Sequence, residues 1–158
     1  MRRSVAIGLA LLGVLVLAWA FWPAKQLSDE EQIRAAIDDM ADAASHKQLG
    51  KLMEHVSEHY QGEAGGKADL KSLLASFLFR SDFVSAWVTH LDVQVDGNDA
   101  QVKMGVVLSR VPIKSVEELK PEVIAGAHRI EAKFAREDAW RVVTATRSDA
   151  SATDLLAP

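Results

Sequence analysis

Residues Ala127 to Arg147 read AHRIEAKFAREDAWRVVTATR. His128, Ile130, Ala132 and Phe134 alternate with Arg129, Glu131 and Lys133, the period-two pattern of a strand with one buried face. Glu137 and Asp138 make a tight turn, and Trp140 to Arg147 returns as a second strand. The stretch therefore predicts an antiparallel pair at the C-terminal end of the chain.

Working upstream, Phe83 to Val95 carries Val84, Val88, Val93 and Val95 among polar residues and predicts a long strand. Asp96-Gly97-Asn98-Asp99 is a strong hairpin turn. Ala100 to Val111 follows as the partner strand, with Val102, Met104, Val106 and Leu108 on one face. Pro112 interrupts it, and Ser115-Val116-Glu117-Glu118 has the form of a capping box, so a helical turn fills the connection until Pro121.

Before these strands the period is helical. Ser28-Asp29-Glu30-Glu31 is a capping box, and its acids suit the positive end of a helix dipole. Ile33, Ala36, Ile37, Met40, Ala41 and Ala44 then predict a helix over 29–45. Leu49, Leu52, Met53 and Val56 form the stripe of a second helix, ended by Tyr60-Gln61-Gly62, with a turn over 63–66. A third helix spans 67–80, burying Leu70, Leu73, Leu74, Phe77 and Leu78. Each helix has a single apolar stripe, so the three must cover one face of a curved antiparallel sheet, an α+β plan.

That order has a known likeness. A helix pair, the turn Tyr60-Gln61-Gly62-Glu63, a third helix ending near Arg80 and long strands closing on Phe134 to Val143 resemble the nuclear transport factor 2-like (SnoaL-like) superfamily. The resemblance spans Ser28 to Arg147, and the charged hairpin followed by Trp-Arg-Val carries most of it. It implies a cystatin-like cone whose helices and sheet enclose a pocket. Superfamily members include isomerases, dehydratases, polyketide cyclases and non-catalytic binding domains, and the enzymes place an Asp, His or Tyr inside the cone. The resemblance also implies a possible homodimer through the sheet.

At the N-terminus, Val5 to Trp22 is an uncharged run of eighteen residues, VAIGLALLGVLVLAWAFW. As a helix it reaches roughly 27 Å, close to the bilayer core of about 30 Å. Arg2 and Arg3 precede it, and Trp19, Phe21 and Trp22 sit at its far end. This is the pattern of a signal anchor with its N-terminus in the cytoplasm and the rest of the chain outside, periplasmic in a Gram-negative bacterium. Ala18-Trp19-Ala20 also fits a signal-peptidase site, so cleavage after Ala20 and export as a soluble domain is the alternative. The expected organisation is an anchor over 1–22, a linker over 23–27, a domain over 28–147 and a flexible tail over 148–158.

Beyond residue 27 the chain carries 15 basic and 22 acidic side chains, a net charge of −7 with His neutral. That balance argues against nucleic acid as the partner. With no cysteine, disulfides, thiol catalysis and lipidation of an N-terminal cysteine are excluded. No Gly-rich phosphate loop follows a strand, no serine sits in a G-x-S-x-G elbow, and no cofactor is expected.

Six residues are candidates for the pocket: Tyr60, Phe77, Trp87, His90, His128 and Trp140. Trp87 and His90 are three apart on one strand, so only one faces the cone interior, and the pattern leaves open which. His128 shares its face with Ile130 and Phe134. His55-Val56-Ser57-Glu58-His59 matches the H-x-x-E-H pattern of inverted zinc proteases. Helical spacing would bring His55 and His59 together, but no third ligand stands out. Arg80 and Asp82 read as a surface pair or a cap. No catalytic set is complete, so the expected function is binding of a small apolar ligand or a protein partner. The alternative is a small enzyme with a general base in the cone.

Overall fold

The computed structural model describes residues 27–156, so the candidate membrane run from Val5 to Trp22 lies outside the described residues. Among the described residues no helix is long and apolar enough to cross a membrane.

Helix α1, Asp29–Ser45, begins at the capping box. The Ser28 N–H donates to Glu31 Oε2 at 2.7 Å and the Glu31 N–H donates to Ser28 Oγ at 3.2 Å. Satisfying these two end donors stabilises the helix by about 1 kcal/mol. Ile33, Ile37 and Ala43 are its fully buried residues. Helix α2, Leu49–Glu54, is shorter than its apolar stripe predicts. Val56 leaves the helix to bridge Val142 in parallel, with the Val142 N–H donating to the His55 carbonyl and the Ser57 N–H to the Val142 carbonyl, both at 2.9 Å. Ser57 is fully buried there, and its Oγ donates to Glu137 Oε1 at 2.6 Å. A two-rung hairpin, β1 (Gln61–Gly62) with β2 (Gly65–Gly66), leads into α3, Lys67–Arg80.

The sheet has four antiparallel strands in sequential order: β3 (Ser85–Asp96), β4 (Asp99–Ser109), β5 (Ile124–Arg136) and β6 (Trp140–Asp149). Two short 3₁₀ turns, Val116–Glu118 and Pro121–Val123, fill the β4–β5 connection. The ladder shifts register at three points, and the bulges on β3 and β6 set which residues of those strands face inward. On β3, His90 and Leu91 together oppose the single residue Met104, and His90 takes a φ of 48°. The extra residue inverts the alternation, so Val88 points inward before it and Leu91 and Val93 after it. On β6, the pairing passes from Phe134–Val142 to Lys133–Thr144, which leaves Val143 as the extra residue.

Ala100, Val102, Met104, Ala132 and Phe134 thus pack with Ile33, Ile37, Met53 and Tyr60 in the main core. The opposite face of the sheet is divided. One half is apolar and covered: Trp87, Val107 and Ala127 lie under Leu119 and Leu155. The other half is charged, with Lys103 directly across from Glu131 and Gln101 across from Lys133. Where a loose tail is expected from Ser148, β6 continues to Asp149 and a last helix α4, Ala152–Leu156, folds back with Leu155 buried on the sheet. Among the described residues four helices rather than three therefore flank the sheet, three on the inner face and the short α4 on the outer.

A candidate ligand cavity between helix and sheet

Helix α3 is held at both ends. At its start, Lys67 Nζ donates to the Val56 carbonyl and to Glu58 Oε1, each at 2.7 Å. At its end, Leu78 is buried against Phe83 and Leu108. Between these anchors Leu70, Leu74 and Phe77 are only half-buried. Across from them, Ala132 and Ala145 pair directly on β5 and β6 and offer little side-chain volume. The result is a cavity of about 680 Å³ between α3 and the sheet, within the roughly 300–1,000 Å³ of small-molecule sites.

Ile37, Val56, Tyr60, Phe134 and Val142 line its inner end, while Ala86, Val88, Met104 and Val106 line the wall from β3 and β4. The lining residues that reach solvent are Glu63 before α3, Leu73, Ser76 and Arg80 on α3, and Thr146 and Arg147 on β6, which place the opening along that helix and the edge strand.

Few polar groups reach the cavity. The Tyr60 hydroxyl lies 3.5 Å from the Ala145 carbonyl oxygen, and burial raises its pKa above the ordinary 10. His128 places Nδ1 3.1 Å from Asp149 Oδ1. Its ring meets Phe77 edge-on at 6.4 Å, and the Arg147 guanidinium sits 5.9 Å from the centre of the same Phe77 ring. Behind the wall, Lys47 Nζ is buried 3.3 Å over the Phe83 ring, with no hydrogen-bond acceptor among the described residues. Desolvation pushes its pKa down, partly opposed by Asp82. A cation on an aromatic face keeps some stabilisation without a hydrogen bond.

Of the six pocket candidates, Tyr60, Phe77 and His128 line this cavity. The other three do not. Trp87 is on the outer face of β3, under α4. His90 is exposed at the bulge. Trp140 is buried at the closed end, its indole N–H donating to Asp29 Oδ1 at 3.3 Å with Arg136 stacked 5.8 Å away. The missed residues are Arg80, Arg147 and Asp149. Arg80 does not pair with Asp82, which is bound instead by Arg110 at 2.9 Å.

The zinc pattern loses its premise. Helix α2 stops at Glu54, so His55 and His59 share no helical face. His55 Nε2 is 2.6 Å from Asp39 Oδ2, and Lys51 is 3.1 Å from the other oxygen of that carboxylate. The hydrogen bonds from His55 and Lys51 hold the Asp39 pKa below its ordinary value. Among the described residues no three His, Asp or Glu side chains gather as a metal site would require.

No protein-family model matches the chain, and no curated protein matches it in sequence. Solved structures do match in shape. A nuclear transport factor 2-like protein with a cystatin-like fold from Novosphingobium aromaticivorans superposes with a TM-score of 0.61 at 18% identity, covering 100% of this chain and 97% of that one. A cystatin-like protein of unknown function from Nostoc punctiforme gives 0.61 at 13% identity, covering 80% and 96%. A candidate scytalone dehydratase from N. aromaticivorans gives 0.62 at 13% identity, covering 78% and 85%. At these identities the likeness establishes a shared fold, the cystatin-like cone, and leaves the chemistry to the residues.

Proposed function

We propose that this protein binds a small, largely apolar molecule in the cone between α3 and the sheet. The observation that supports this reading is the cavity itself: about 680 Å³ lined mainly by aliphatic and aromatic side chains. A cone that served only as packing would be filled, because interiors close to crystal density and voids cost stability. The test is binding of a neutral apolar dye to the wild type and to Ala132→Phe, which fills the lining from β5. Binding that is equal in both would place the dye elsewhere and sink the reading.

A second reading is a small enzyme, and the His128–Asp149 pair favours it. A histidine on the wall of an apolar cavity, backed by a carboxylate, is suitably placed for general-base work. Two solved neighbours carry dehydratase names, which enters only as likeness of fold. Ligand extracted after incubation and identified by mass spectrometry separates the readings. Turnover requires a product with the wild type and unaltered ligand with His128→Gln.

The location belongs to the same proposal and rests on sequence alone. The run from Val5 to Trp22 would tether the domain outside the cytoplasmic membrane, close to the bilayer through a short linker. A mature chain starting at Phe21 would convert the tether into a cleaved signal and the domain into a soluble one.

A further inference from the structure

The opening of the cavity has a charge that the rest of the domain does not. Arg80 and Arg147 both line it, and among the described residues neither has an ion-pair or hydrogen-bond partner. Arg147 rests on the Phe77 ring, and Arg80 follows Phe77 by one helical turn, so both arginines belong to the surroundings of one aromatic residue at the opening. His128 is on that side as well, edge-on to Phe77.

The nearby acids pair with neither arginine. Asp149 is engaged with His128, and Glu63, the carboxylate among the lining residues, precedes the other end of α3. Two unpaired guanidinium groups beside an apolar chamber, on a chain whose overall charge is negative, are arranged for a ligand with one acidic end. Guanidinium is also the cation best shaped to hold a carboxylate or phosphate by paired N–H donors.

We propose that the ligand is an anionic amphiphile, with its apolar tail in the cone and its acid group between Arg80 and Arg147. This rests on the apolar-ligand reading above and adds the ligand's charge and direction of entry. The size of the cavity suits one chain and not a bulky double-chain lipid.

Titration calorimetry of the full-length chain in zwitterionic nanodiscs, with protein-free discs as blank, tests it using three probes with the same tail: octanoate, 1-octanol and octyltrimethylammonium. Octanoate is expected to bind about tenfold or more tighter than octanol, as a charge-assisted contact gives, and the ammonium probe weakest. In the double variant Arg80→Gln, Arg147→Gln, octanoate falls to the level of octanol while octanol is unchanged, which also reports that the cone is still folded. Equal binding of octanoate and octanol to the wild type overturns the anionic ligand but leaves the apolar one standing. An octanoate preference that survives the double variant overturns the assignment to these arginines. Absence of binding by all three probes overturns both readings.

Discussion

His128 and Asp149 face each other across the last rung of the β5–β6 ladder, with Nδ1 3.1 Å from Oδ1. An ionised carboxylate can only accept, so a neutral ring making this bond carries its proton on Nδ1 and leaves Nε2 as the acceptor. Asp149 is itself 91% exposed, so water competes for it and the bias is moderate. Replacing it should move the ring toward the Nε2–H tautomer. Long-range nitrogen–proton NMR on Asp149→Ala is expected to show that change, and an unaltered tautomer ratio would mean that Asp149 does not orient the ring.

Positions around the cone should differ sharply in what truncation costs. Phe134 is fully buried at the centre of the core, and Phe134→Ala should lose about 3–5 kcal/mol. Leu74 already borders empty space and is half-buried, so Leu74→Ala should lose roughly 1 kcal/mol, below the usual core range. Urea unfolding of both variants gives the comparison. Equal losses would mean that the cavity closes in solution.

A source of acid sensitivity lies at the β5–β6 turn. The Arg141 guanidinium, bonded to Asp138 at 2.8 and 2.9 Å, holds that carboxyl at about 2, below its ordinary 3.8. Between these values the unfolded chain binds more protons than the folded one. The contribution is therefore complete above about pH 4 and is lost as pH falls toward 2. Asp138→Asn should lower the Tm at neutral pH, and its difference from wild type should shrink over that interval. A difference constant from pH 7 to 2 would exclude the pair as the cause.

The seat of α4 is tight at one point. Any Cβ placed on Gly105 would strike the Thr89 hydroxyl and come within 2.9 Å of the Leu155 side chain. Gly105→Ala should cost about 1–3 kcal/mol through overpacking. It should also raise hydrogen exchange across 152–156 and expose Trp87, with a red shift of its fluorescence. Unchanged exchange in that helix would mean that the seat yields without releasing it.

The helices were legible in the sequence because their apolar stripes and the Ser28–Glu31 box carry their own period and punctuation. The strands were legible as strands, but their faces were not, and the site depends on faces. Counting by twos from Val142 sends Thr144 and Thr146 inward and hides Arg147. The extra residue at Val143 makes Ala145, Arg147 and Asp149 the inward set, and the adjacent pair Val142-Val143 is the one trace of it in the sequence. On β3 the same arithmetic left Trp87 and His90 undecided, and neither reaches the cavity. Trp140 is a large ring serving a core, a use composition cannot separate from ligand contact. Helix α4 is only five residues long, with Leu155 and Leu156 its sole strong apolar signal.

The bulge at His90 and Leu91 separates β3 into two stretches that can vary independently. Ala86 and Val88, before it, border the ligand space, whereas Leu91 and Val93, after it, belong to the solid end of the core. Straightening the bulge without a deletion would turn His90, Asp92 and Gln94 inward, whereas deleting its extra residue would keep Leu91 and Val93 inward, and in both cases the ligand-facing stretch stays in register. The bulge thus acts as a joint in the sequence code. Substitutions upstream of it can reshape what the cone accepts, and the interior downstream, which keeps the domain folded, need not change with them.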